Sequence, residues 1–139
     1  MKDFKIYLAG GCQNLNWEDQ FVWRDTAKQW LESREGNFRV QAINPTEYYS
    51  YFEQKHNNER EVRDFDIWQV KTSDLILVLF NDEKSIGTSM ELQCALDNNI
   101  PIIGVYNGDS LHPWLELACN RISKSLNESL KYIEEFYLN

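Results

Sequence analysis

The stretch Leu75-Ile76-Leu77-Val78-Leu79-Phe80-Asn81-Asp82-Glu83-Lys84-Ser85-Ile86-Gly87-Thr88-Ser89-Met90-Glu91-Leu92 decides the fold. It opens as an uninterrupted apolar run, the pattern of a strand buried on both faces. It turns through a polar loop. It then enters small and hydroxyl residues that lead a segment with helical spacing, and that segment carries Glu91. Strand, loop and helix in this order form part of a parallel crossover unit.

The same alternation extends in both directions. Upstream, Phe4-Lys5-Ile6-Tyr7-Leu8-Ala9 is β-rich and ends in Gly10-Gly11, which predicts a first strand and a glycine turn. A helix is expected over 17–32, because Phe21, Arg24, Ala27, Lys28 and Leu31 recur at three- and four-residue steps, with Asn16 as its N-cap. Gly36-Asn37 ends it, and 38–43 alternates as a second strand until Asn44-Pro45-Thr46. The aromatic stretch over 47–58, with Tyr48, Tyr49, Tyr51 and Phe52, predicts a long loop or broken helix. A helix over 59–72 places Val62, Asp66 and Val70 on one four-residue row.

The third strand is expected over 74–80 and the next helix over 89–98. A fourth strand over 100–106 follows, with Pro101 near its start, where an N–H can be spared. A short helix over 112–118, a short strand over 121–123 and a last helix over 126–136 complete the chain. The expectation is an α/β fold: a flavodoxin-like three-layer sandwich with a five-stranded parallel sheet of order 2-1-3-4-5, in one domain spanning 1–139. In that order the loops after strands one and three flank the topological switch point. Gly10-Gly11-Cys12 should then face residues 81–91 across one cleft.

Composition narrows the function. A formal net charge of -8 argues against a nucleic-acid polymer as partner, because no basic stripe is present to replace counterions. It leaves room for a single nucleotide. Cys12, Cys94 and Cys119 fit neither a disulfide framework nor a metal pattern, and His56 and His112 match no zinc motif, so no metal is expected. With no signal peptide and no long apolar segment, a cytoplasmic protein without membrane contact is expected. Five Trp and an aromatic fraction of 14% suit a pocket or an interface as well as a core. A homodimer or higher homo-oligomer is expected on the aromatic surface around 48–52 and the helices beside it.

Three side chains are candidates for chemistry. Glu91 stands at capping-box spacing in Thr88-Ser89-Met90-Glu91, so it either satisfies a helix-start N–H or serves as a nucleophile or base at the cleft mouth. Asp66 occupies an inward row, where an ionised carboxylate is costly unless paired or used. Tyr7 lies inside strand one, either as a core residue or with its hydroxyl reaching the cleft to hold a carboxylate from the next strand. Ser85, Gly87 and Thr88 offer hydroxyls and backbone N–H groups at a helix start, a place for a phosphate or sugar hydroxyl, or simply a cap. Asn14, Trp17 and Trp23 with Arg24 could shape a base or sugar pocket, and for the two Trp core packing is the alternative.

Taken together, Lys5-Ile6-Tyr7-Leu8-Ala9-Gly10-Gly11, the Phe65-Asp66 pair followed by Ser73-Asp74, and Ser85-Ile86-Gly87-Thr88-Ser89-Met90-Glu91-Leu92 with Ala95 and Pro101 resemble the nucleoside 2-deoxyribosyltransferase family in its broad sense. That group includes deoxynucleoside 5'-monophosphate N-glycosidases. The likeness runs in family order over residues 4–106. It implies Glu91 as the catalytic glutamate that attacks C1' and forms a glycosyl-enzyme. It implies Asp66 as the carboxylate that assists at the base or sugar, and Tyr7 as the tyrosine that orients the glutamate. Gly10, Gly11, Cys12, Ser85, Gly87 and Thr88 become the substrate-binding set, and no metal or organic cofactor is required.

Two departures stand out. Ser85 replaces an acidic residue common among the transferases, which is more similar to the monophosphate-cleaving branch, since a carboxylate repels phosphate. The arginine that this branch carries soon after strand one has no match, since Gln13 and Asn14 occupy that region; Arg24, Arg60 and Lys84 are possible substitutes. Residues 134–139 loosely resemble a tail that completes a neighbour's site in some transferases. Two other readings are a catalytically silent nucleotide sensor on the same fold and an NAD-cleaving glycohydrolase.

Overall fold

The computed structural model describes residues 1–11, 16–48 and 55–139. Cys12, Gln13, Asn14, Tyr49, Tyr51 and Phe52 lie outside the described residues. The strands are β1 (Lys2–Gly10), β2 (Phe38–Ile43), β3 (Leu75–Leu79), β4 (Ile102–Val105) and β5 (Arg121–Ser123). The helices are α1 (Trp17–Ser33), α2 (Glu59–Lys71), α3 (Ile86–Asp97), α4 (Pro113–Ala118) and α5 (Leu126–Tyr132). The strands form one parallel sheet in the order β2-β1-β3-β4-β5, as the sequence predicts.

Burial follows position in the sheet. The central strands β1 and β3 are apolar on both faces: Ile6, Leu8, Leu75 and Leu77 pack under α1 and α5, while Tyr7, Ala9, Ile76 and Val78 pack under α2, α3 and α4. The edge strand β2 instead alternates exposed and inward residues before its buried end. Within β4, a Cβ on Gly104 would lie 3.0 Å from the Phe80 ring and 3.1 Å from Cys119 Sγ, so glycine is what lets these layers approach.

Helix ends follow local chemistry. Asn16 caps α1 by accepting from the Asp19 N–H at 2.8 Å. Asn58 and Glu61 form a reciprocal capping box at the start of α2. Two expectations are corrected. Helix α3 begins at Ile86, three residues before the expected start, because Ser85 is its N-cap. The last helix does not run regularly to Phe136: α5 ends at Tyr132 and continues as a π-helical turn, Ile133–Tyr137. That turn carries Leu138 into the core beneath α1, where it is 1% exposed and its carbonyl accepts from Arg34 Nη1 at 3.1 Å. Leu138 is thus packed into its own chain, while Phe136 is 67% exposed.

Candidate active site

The carboxyl-terminal ends of β1 and β3 meet at the switch point, and the candidate residues gather there. Tyr7 pairs in register with Ile43 of β2 and Ile76 of β3, and only 1% of it is exposed. Its side chain points toward α3, and its hydroxyl donates a hydrogen bond to Glu91 Oε2. Glu91 itself is 8% exposed.

Glu91 is not a capping residue. The cap of α3 is Ser85, whose Oγ accepts from the Thr88 N–H at 3.3 Å and lies 2.8 Å from Thr88 Oγ1. Thr88, not Glu91, therefore holds the third helical position, and Glu91 comes one turn deeper in the helix. A turn starts the helix early: the Ser85 N–H bonds to the Asp82 carbonyl at 3.2 Å, and the Lys84 N–H to Asp82 Oδ1 at 3.0 Å. Released from capping, Glu91 is a carboxyl held under the protein surface by Tyr7.

Its electrostatics follow from that burial. Removal from water pushes the Glu91 carboxyl up to about 8. The Tyr7 hydrogen bond pulls it back, the negative charge of Asp66 adds to the rise, and the cation of Arg24 opposes it. Burial, followed by the charges of Glu91 and Asp66, also raises the Tyr7 hydroxyl well above the usual tyrosine range. Asp66 is half-buried on α2, on the row that carries the fully buried Val70, and its field reaches both Tyr7 and Glu91. The structure thus brings Tyr7, Asp66 and Glu91 together from β1, α2 and α3. At neutral pH such a glutamic acid is mostly protonated, and nearby positive charge favours its carboxylate form.

Of the chain after β1, the described Gly11 meets the loop after β3. The Gly11 N–H donates to Asn81 Oδ1 at 3.0 Å, a clasp that the sequence reading missed and that no local pattern announces. Gly10 has a packing reason to be glycine: a Cβ there would lie 3.0 Å from the Trp23 ring and 3.1 Å from the Leu79 carbonyl oxygen. Gly87 is the opposite case. A Cβ there would meet no atom within 4 Å, and its φ is not positive. Nothing inside the folded protein requires glycine in the first turn of α3, where it weakens the helix.

The possible phosphate-binding cations are not equivalent. Arg24 is 1% exposed, and its Nε, Nη1 and Nη2 donate to the carbonyls of Leu8, Gln20 and Gly10 at 3.1, 2.8 and 2.9 Å. It is committed inward rather than offered to a ligand. Arg60 lies on exposed α2 surface 3.9 Å from Asp64, and Lys84 is exposed in the loop after β3. Cys12 lies outside the described residues. Among the described residues no group of three or more His, Cys, Asp or Glu side chains could hold a metal ion. No described helix is long and apolar enough to cross a membrane.

No protein-family model matches the chain, and no curated protein sequence matches it. Solved structures do. A 2-deoxyribosyltransferase from Bacillus psychrosaccharolyticus superposes with a TM-score of 0.71 at 17% identity, covering 92% of this chain and 91% of that one. A 2-deoxyribosyltransferase from Leishmania mexicana gives 0.69 at 14% identity, covering 97% and 99%. A conserved protein from Enterococcus faecalis V583 gives 0.68 at 16% identity, covering 95% and 98%. The chain therefore has the fold of the 2-deoxyribosyltransferases over nearly its whole length.

Proposed function

We propose that this protein acts on the N-glycosidic bond of 2'-deoxynucleosides or their 5'-monophosphates, with Glu91 as the nucleophile. The observation that carries the reading is the buried Glu91 carboxyl, held by Tyr7 beside Asp66 at the switch point of the sheet. The shared fold with two 2-deoxyribosyltransferases supports a related glycosyl transfer.

In the first half-reaction the C1'–N bond breaks as Glu91 Oε bonds to C1'. Positive charge develops at C1' and favours the ionised Glu91. The base leaves with the bonding pair and takes up a proton, for which Asp66 is the nearby acid or relay. Tyr7 keeps the attacking oxygen in one orientation. In the second half, water or a second base attacks C1' and frees the glutamate. Water gives hydrolysis, and a base gives transfer. The chemistry calls for no metal or organic cofactor.

Of the binding set, Gly87 has the surroundings that most favour a ligand, with Ser85 and Thr88 shaping the same helix start. A 5'-oxygen or phosphate near the exposed N–H groups of that turn would gain from the helix dipole. Gly10 and Gly11 would form the opposite wall, and Cys12 is proposed as part of the same binding set. The proposal includes a homodimer or larger homo-oligomer. Its contact face would include Tyr48, Phe65 and Trp68, exposed aromatics in contact edge-on (Tyr48–Phe65, centroids 5.3 Å apart) and tilted (Phe65–Trp68, 5.9 Å).

The test is product analysis. Each deoxynucleoside and deoxynucleoside 5'-monophosphate is incubated with the protein, with and without a second free base. Free base or exchanged base is expected from at least one substrate. Nicotinamide release from NAD with none from deoxynucleosides would favour an NAD-cleaving enzyme. Calorimetric binding with no turnover would favour a sensor.

A further inference from the structure

Arg24 is a buried cation without an ion-pair partner among the described residues. Such a group is costly, because burial strips its hydration. Part of that cost is offset by three backbone carbonyls and by the Trp23 ring, whose centroid lies 4.8 Å from the guanidinium carbon. Core packing alone does not call for an arginine here: Ala27 and Leu31, on the same inward side of α1, are apolar and fully buried.

The acceptors are informative. Leu8 follows Tyr7 directly, and Gly10 precedes Gly11, whose N–H is clasped by Asn81. Arg24 therefore grips the end of β1 from the α1 side, while Tyr7 holds Glu91 from the α3 side. Gly10 completes the grip: an added Cβ would stand 3.4 Å from Arg24 Nη2.

We propose that Arg24 is a positioning residue for the active site, a fixed positive charge beneath β1 that offsets the negative charge of Glu91 and Asp66 and locks the strand end that carries Tyr7. The groups facing Glu91 fit this role. Tyr7 faces it from β1 and Asp66 from α2, Cys94 follows it on α3, and Arg24 is the cation among the groups that act on it. Burial and Asp66 favour the acid form of Glu91, while the Tyr7 hydrogen bond and Arg24 favour the carboxylate. The proposal builds on Glu91 as the reacting group, but its test needs no substrate and can fail independently.

Glutamate carboxyl carbons are labelled with carbon-13, and the Glu91 signal is assigned by its loss in Glu91→Gln. Its titration midpoint is then read in the wild type, Arg24→Met and Arg24→Lys. Arg24→Met removes the charge but keeps much of the bulk, and its midpoint is expected to rise by about one pH unit. Arg24→Lys keeps the charge while losing the forked hydrogen bonds, and its midpoint should stay near that of the wild type. A folded Arg24→Met protein with an unchanged midpoint overturns the proposal. If Arg24→Met does not fold, Arg24→Gln, which removes the charge but keeps polar donors for the strand carbonyls, decides: a rise of about one unit supports the fixed charge, and a midpoint unchanged from the wild type overturns it.

Discussion

Glu91 destabilises the protein that holds it, and this has a measurable sign. Its carboxyl titrates at about 8 in the folded protein, against 4.5 for the free side chain. Between those values the folded state keeps a proton that the unfolded chain has released. Stability is therefore fully present below the lower value and falls as pH rises through the upper one. Glu91→Gln cannot lose that proton. It is expected to be more stable than the wild type near pH 8, by up to about 4 kcal/mol, with the gap closing toward pH 5. Urea unfolding of both proteins across this range measures it, and parallel pH profiles would contradict it. Tyr7→Phe removes a hydrogen bond to the charged form. It should push the Glu91 midpoint upward and lower turnover by about 10- to 100-fold while the protein stays folded. A pH–rate profile with an unmoved acidic limb would contradict that role. Tyr7 and Glu91 were both legible as candidates, Tyr7 as a hydroxyl inside strand one and Glu91 as a carboxylate at the helix start after strand three, each with a structural alternative left open. Their hydrogen bond was not, since it joins residues far apart in sequence.

At the scale of the element, the start of α3 carries the specificity argument. Thr88 and Glu91 match a capping box, yet the helix uses Ser85, because the turn set by Asp82 brings the chain into helical geometry earlier. A spacing rule cannot separate two overlapping caps when the deciding contact is the loop before them. Ser85 then has a structural duty beside any role toward substrate, and the two can be separated. Ser85→Ala should cost about 1 kcal/mol of stability. Ser85→Asp keeps a capping oxygen and suits the helix dipole, so it should preserve stability while weakening any preference for a 5'-monophosphate over the nucleoside. Comparative kcat/KM for the two substrates measures this, and an unchanged ratio would contradict a 5' role. Gly87→Ala is sharper still. With open space at its Cβ, alanine should stabilise the helix by about 0.5–1 kcal/mol, yet raise KM if substrate approaches that backbone. Higher stability with unchanged KM would remove Gly87 from the site. The strands needed no such arbitration, because continuous apolar runs in β1, β3 and β4 and alternation in β2 follow directly from sheet position.

Across the whole molecule, parallel order fixes which strand ends meet. Placing β1 beside β3 lets Gly11 reach Asn81, Tyr7 reach Glu91, and Arg24 brace the strand from the other side. The order itself was readable from the alternation of strands and helices. The clasp and the brace were not, because they depend on how the two faces register in three dimensions. The exposed Tyr48, Phe65 and Trp68 cluster belongs to the same scale. Native mass measurement at micromolar concentration is expected to give a dimer or larger species, and Trp68→Glu to shift it toward monomer; a wild-type monomer throughout would contradict that assembly. The most direct test of the central assignment compares base release by the wild type and by Glu91→Gln, each shown to be folded, across the 2'-deoxynucleosides and their 5'-monophosphates. Release by the wild type, with a loss of at least about a thousandfold in Glu91→Gln, is the expected result. Equal release by the two proteins, or release by neither, would contradict it.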